Sequence, residues 1–179
     1  MVDAAVEDEL QKGGTSIHAS AVLVGDRAVL IRGPSGSGKS RLAFDLILAG
    51  RAGQIAPARL VGDDRVHVWQ HGGELLVRPA PALAGLIEIR GLGIRRCDYA
   101  LEAPIGLVVD LEATDAERLP PPDSLQTRVS GILVPRIPVM QGFSGLPLVI
   151  AALTMTANSS SADCSKEFGN HITPTIATE

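Results

Sequence analysis

The stretch Gly33-Pro34-Ser35-Gly36-Ser37-Gly38-Lys39-Ser40 meets the pattern G-x-x-x-x-G-K-S in full. Each residue type in it has a use in holding a polyphosphate. Glycines let successive backbone N–H groups turn inward and ring the phosphates. A helix that begins at the end of the loop adds the positive end of its dipole. Lys39 can then reach the outer phosphates, and the Ser40 hydroxyl can ligate Mg²⁺. The chemistry implied is binding of ATP with Mg²⁺ and movement of its terminal phosphoryl group.

Such a reaction also needs an acid at the metal, and often a second one to orient or deprotonate the acceptor. Asp63-Asp64 follows the apolar run Leu60-Val61-Gly62 and so falls at a strand end, where folds of this kind place their chemistry. Adjacent carboxylates on an extended chain point different ways. One of them can face a site while the other is held structurally, or both can be solvated in a turn. Glu88, flanked by Ile87 and Ile89, reads equally as an exposed strand residue or as a ligand. His18 is either a proton carrier or an ordinary surface histidine. No Asn-Lys-x-Asp guanine reader of the Ras type occurs, which lowers the GTPase reading.

The elements that would position these groups are legible in outline. Ala19–Val24 and Arg27–Arg32 read as two strands joined by a tight Gly25-Asp26 turn. The second runs straight into the phosphate loop. Lys39 to Ala49 has helical spacing, with Gly50 as its stop. Short strands are expected at Arg59–Val61, Val66–Trp69 and Leu75–Arg78, the last two joined at Gly72-Gly73. Ile105–Leu111 is almost wholly apolar and ends at an acid, as a buried central strand does. Pro120-Pro121-Pro122 marks an exposed break. Ile132–Val139 carries two prolines and reads as an edge segment at best. Leu146–Leu153 is either a last strand or a helix. Residues 1–15 read as a flexible leader, and 154–179 as a polar tail expected to be disordered.

Composition narrows the function classes. The 179 residues fit one domain; 45% are hydrophobic but only 3% aromatic, so aliphatic side chains must supply the core. A net charge of −4 without a Lys/Arg run argues against nucleic acid as a partner. Cys97 and Cys164 have no metal-ligand spacing and read as ordinary thiols of a reducing cytoplasm. No run of apolar residues approaches the roughly 20 that a membrane span needs, and no secretory signal opens the chain.

Taken together, Gly33–Ser40, Gly62-Asp63-Asp64-Arg65-Val66 and Ile87-Glu88-Ile89-Arg90-Gly91-Leu92-Gly93-Ile94 resemble the catalytic domain of HPr kinase/phosphorylase. The likeness runs from about Ser16 to Leu153. It implies an α/β, phosphate-loop kinase-like fold with a mainly β, mixed sheet and few helices. It implies an ATP- and Mg-dependent serine kinase acting on an HPr-type phosphocarrier protein in the cytoplasm, with assembly as hexamers. By the same resemblance one of Asp63 and Asp64 takes the proton of the acceptor serine, while Ser40 and Glu88 hold the metal. His18, Lys39 and Arg118 match active-site positions, although the residues flanking Arg118 differ.

The departures from the family shape the expectation. Nothing corresponds to the N-terminal domain of longer members, as in a short, single-domain form. Pro138–Phe143 falls on a basic loop linked to dephosphorylation, yet carries no arginine. Reverse reaction requires binding of two anions, so kinase activity is expected before phosphorylase activity. The alternatives are an ATP-sensing regulatory module with little turnover and a small-molecule kinase. The second lacks an obvious lid segment.

Overall fold

The structure, a computed structural model, describes residues 14–155. The expected disordered tail and nearly all of the expected leader therefore lie outside the described residues. Among the described residues the strands are β1 (Thr15–Ile17), β2 (Ser20–Val24), β3 (Arg27–Arg32), β4 (Ala58–Gly62), β5 (Val66–His71), β6 (Glu74–Pro79), β7 (Leu86–Ile89), β8 (Gly93–Arg96), β9 (Ala103–Leu111), β10 (Gln126–Val129) and β11 (Ile132–Val139). Two α-helices accompany them, α1 (Lys39–Arg51) and α2 (Leu146–Thr154).

Nine strands form one mixed sheet in the order β1-β5-β6-β9-β3-β2-β4, with β11 beside the second half of β9 and β10 on β11. β3, β9 and β11 run parallel, and the remaining pairs are antiparallel. β7 and β8 make a separate hairpin. Both expected turns, Gly25-Asp26 and Gly72-Gly73, join paired strands.

The apolar run of β3 is continuous because both faces of the sheet are covered. Val29 and Ile31 pack with Leu42, Ala43 and Leu46 beneath α1. Ala28 and Leu30 face the opposite way, into a second cluster with Val61, Val68 and Val77. α1 buries Leu42, Ala43, Leu46 and Ile47 at the spacing of a single helical stripe. Truncating Leu46, which has no exposed surface, to alanine should cost about 2–5 kcal/mol.

Several local expectations are corrected. Gly50 does not stop α1, which continues to Arg51. A Cβ on Gly50 would lie 2.7 Å from the Ala58 backbone nitrogen, so that glycine permits close approach of the helix to β4. Ile132–Val139 is a full strand and not merely an edge segment. Its first half bonds β10 and its second half bonds β9. Leu146–Leu153 resolves as helix, with Val149 buried. The register between β3 and β9 shifts between Ala28/Val29, skipping Gly106. As a result Ile105 packs in the second cluster while Leu107 packs in the first. A single-residue shift exchanges the faces of everything after it.

Strand direction gathers the chemistry. β3, β9 and β11 end at one edge of the sheet; β2 starts there because it is antiparallel to β3, and β4 ends there because it is antiparallel to β2. Along that edge stand His18, the phosphate loop, Asp63-Asp64, Glu112 and Met140.

Candidate active site

The loop between β3 and α1 is an open cradle. Gly36 and Gly38 have φ of 82° and 96°, conformations that L side chains avoid, and a Cβ on either would meet nothing within 4 Å. Gly38 caps α1 without a side-chain hydrogen bond, leaving the first helical N–H groups directed toward the cradle. The Ser37 hydroxyl is cut off from solvent and has no hydrogen-bond partner among the described residues. An orphaned donor and open backbone amides fit a polyphosphate.

Lys39 is buried, and its Nζ donates to the carbonyl oxygens of Gly33 and Pro34 at 3.0 and 2.8 Å. The ammonium is thereby folded over its own loop. Burial lowers its pKa, against the pull of the Asp63, Asp64 and Glu112 carboxylates. An anion in the cradle would replace two neutral carbonyl partners with charge-assisted ones.

Asp63 and Asp64 are neighbours with different surroundings. Asp63 is 3% exposed. Its Oδ1 accepts from the Ser20 hydroxyl at 2.6 Å and its Oδ2 from the Glu88 backbone N–H at 3.1 Å. Both oxygens are therefore engaged in tying β2, β4 and the β7–β8 hairpin together. Asp64 has a φ of 65°, uncommon for a residue with a side chain. That turn sends its carboxylate outward, where it is 70% exposed and lies 3.3 Å from His18 Nε2.

Glu88 reaches the same edge through the hairpin. Its side chain is exposed, and neither it nor the Ser40 hydroxyl has a hydrogen-bond or ion-pair partner among the described residues. Hydroxyl and carboxylate oxygens are the donors Mg²⁺ takes, and that ion keeps waters and substrate phosphates as its remaining ligands. Among the described residues no three His, Cys, Asp or Glu side chains cluster as a ready cage.

Arg118 is exposed in the segment between β9 and β10 and has no hydrogen-bond or ion-pair partner among the described residues. Sequence reading missed two groups of residues. One is Ser20, which engages one oxygen of Asp63. The other is a charge cluster at the ends of β3, β9 and β11. Arg32 meets Asp110 in a two-pronged contact at 2.7 and 2.8 Å. Arg136 donates to Asp110 at 2.5 Å and to Asp115 at 2.6 and 2.9 Å. Burial works against ionisation of Asp110, yet the two guanidiniums overcome it and hold the carboxyl below its ordinary value. Arg32 and Asp110 are cross-strand partners, a pairing that becomes visible only once the register is known.

Fold and loop together define a phosphate-loop protein of the kinase-like type. The HPr Serine kinase C-terminal domain family matches residues 10–172, and the chain belongs to that family. It is similar to the HPr kinase/phosphorylase of Enterococcus faecalis, at 35% identity over 90% of this chain and 54% of that protein. The HPr kinase/phosphorylase of Levilactobacillus brevis gives 35% identity over 88% and 53%. The chain thus spans about half the length of these curated relatives. Among solved structures, the Hpr(Ser) kinase/phosphatase from Coxiella burnetii matches with a TM-score of 0.62 at 27% identity, covering 78% of this chain and 93% of that one. No helix among the described residues is long and apolar enough to cross a membrane.

Proposed function

We propose that this chain is an ATP- and Mg-dependent serine kinase that phosphorylates an HPr-type phosphocarrier protein in the cytoplasm. The observation that carries the reading is the contrast within Asp63-Asp64, one carboxylate engaged at both oxygens and the other open beside the phosphate loop. Family membership supplies the acceptor class, since the relatives are named as kinases of HPr.

The residues would act as follows. The loop amides and Lys39 hold the β- and γ-phosphates, with Lys39 leaving its two carbonyl partners to do so. Ser40 and Glu88 would hold Mg²⁺, which would supply neutralisation of phosphate charge. Asp64 accepts the proton of the acceptor serine, and His18, 3.3 Å from it, orients the carboxylate. Asp63 keeps the strand ends in register. Arg118 would add positive charge around the transferring group. Catalysis then rests on positioning and charge neutralisation. Hexameric assembly and a weak phosphorylase activity are carried by the family alone.

The test is phosphoryl transfer from labelled ATP to purified HPr-type carriers, with Lys39→Ala as control. Label on a serine, lost in the control, is the expected result. Tight Mg-ATP binding without label on any carrier would instead point to a nucleotide-sensing module.

A further inference from the structure

A cleft of about 420 Å³ opens beside the phosphate loop, between the start of α1, the end of β9 and the segment after β11. Its volume lies within the roughly 300–1,000 Å³ of small-molecule sites. Ser37 of the loop forms part of its wall, so cleft and cradle are continuous. The cleft lies on the β9–β11 flank of the loop, whereas Asp63-Asp64 lies on the β2–β4 flank. We propose that this cleft takes the base and ribose of the bound nucleotide, an inference that rests on the ATP reading above.

The polarity follows from the two flanks. The terminal phosphate must face the carboxylate that receives the acceptor proton, which is Asp64. The nucleoside end of the same molecule must then leave the loop on the other side, where the cleft is. The walls have the chemistry for it. Leu111, Val139 and Met140 provide apolar surface, and Phe143, 69% exposed, presents an aromatic ring with little around it. Exposed aromatic faces bind bases by stacking irrespective of base identity. Arg41 is held across the helix by Asp45 at 2.9 and 3.0 Å, a planar cation that can lie over a base. Glu112 turns into the cleft mouth directly after β9 with a φ of 56°. Such strained backbone in a residue bearing a carboxylate marks functional positions, and a carboxylate is the acceptor that ribose hydroxyls require.

The segment that supplies Met140 and Phe143 offers apolar and aromatic surface to a nucleoside.

The test compares two ligands of the full chain by calorimetry, Mg-ATP and inorganic tripolyphosphate, for the unaltered protein, Phe143→Ala and Glu112→Gln. Phe143→Ala should weaken ATP roughly tenfold or more and leave tripolyphosphate unchanged. Glu112→Gln should weaken ATP but lose the difference between ATP and its 2′,3′-dideoxy analogue. Unchanged ATP affinity in both variants, or equal weakening of ATP and tripolyphosphate, would overturn the cleft assignment alone. Failure of the unaltered chain to bind either ligand would overturn the phosphate-loop reading and the assignment with it.

Discussion

Two carboxylate clusters stand at the same edge of the sheet and are built for different ends. At the close of β9, Asp110 is enclosed by Arg32 and Arg136, and Arg136 reaches on to Asp115. At the close of β4, Asp63 is engaged by a hydroxyl and a backbone N–H, and the Asp64 carboxylate lies exposed 3.3 Å from His18 Nε2. By position alone Asp110 is the more obvious metal-holding acid, since it ends the strand that lies parallel to the phosphate-loop strand. Its partners exclude that. A carboxylate that accepts three hydrogen bonds from two guanidiniums is suited to fastening strand ends; one left open to solvent beside the phosphate loop is suited to taking a proton. In this molecule partner count discriminates the two clusters better than strand position does.

The comparison can be broken at either cluster. The largest structural effect belongs to Asp110→Asn, which would leave two guanidiniums without their shared counter-ion. Removing one member of a fully buried pair costs about 3 kcal/mol or more; for this partly buried cluster a loss of about 2–3 kcal/mol is expected. Denaturant unfolding should show that loss, while ATP affinity of the folded fraction stays as it was. Ser20→Ala should cost about 2 kcal/mol, because it strips a buried carboxylate oxygen of its donor. A calorimetric melt would detect it, and an unchanged melting temperature would mean that Asp63 finds another partner.

Glu88→Gln should leave stability intact but raise the Mg²⁺ concentration for half-maximal transfer about tenfold, the worth of one charged contact. An unchanged requirement would remove Glu88 from the ligand set. The smallest effect is on acid stability. Asp110 is ionised more readily in the folded chain than in the unfolded one. Its contribution is therefore complete above the ordinary aspartate value of 3.8 and is lost as pH falls through its lower folded value. Unfolding free energy measured against pH should drop in that range, and the Asp110→Asn variant should show a flatter acid limb.

The sequence carried the phosphate loop, both hairpin turns and α1, because each depends on residues close together along the chain. Register was not legible. The shift at Gly106, the Arg32–Asp110 pairing and the closure of Ser20 on Asp63 join residues up to 78 positions apart. No local pattern encodes such pairings. The prolines of β11 argue against a strand; Pro135 stands opposite Gln126 at the end of the β10 pairing, whereas Pro138 stands opposite Asp110 within the β9 pairing. The pair Asp63-Asp64 was visible as a pair, but which member is open depends on a left-handed backbone at Asp64 that its residue type permits without requiring.

The most direct test of the account sets Asp64→Asn beside Asp110→Asn in single-turnover transfer of labelled phosphate from Mg-ATP to the serine of an HPr-type carrier, corrected for folded protein. A loss of about 10²–10⁴-fold is expected for Asp64→Asn with ATP still bound, and little change per folded molecule for Asp110→Asn. Full transfer by Asp64→Asn, or loss confined to Asp110→Asn, would contradict it.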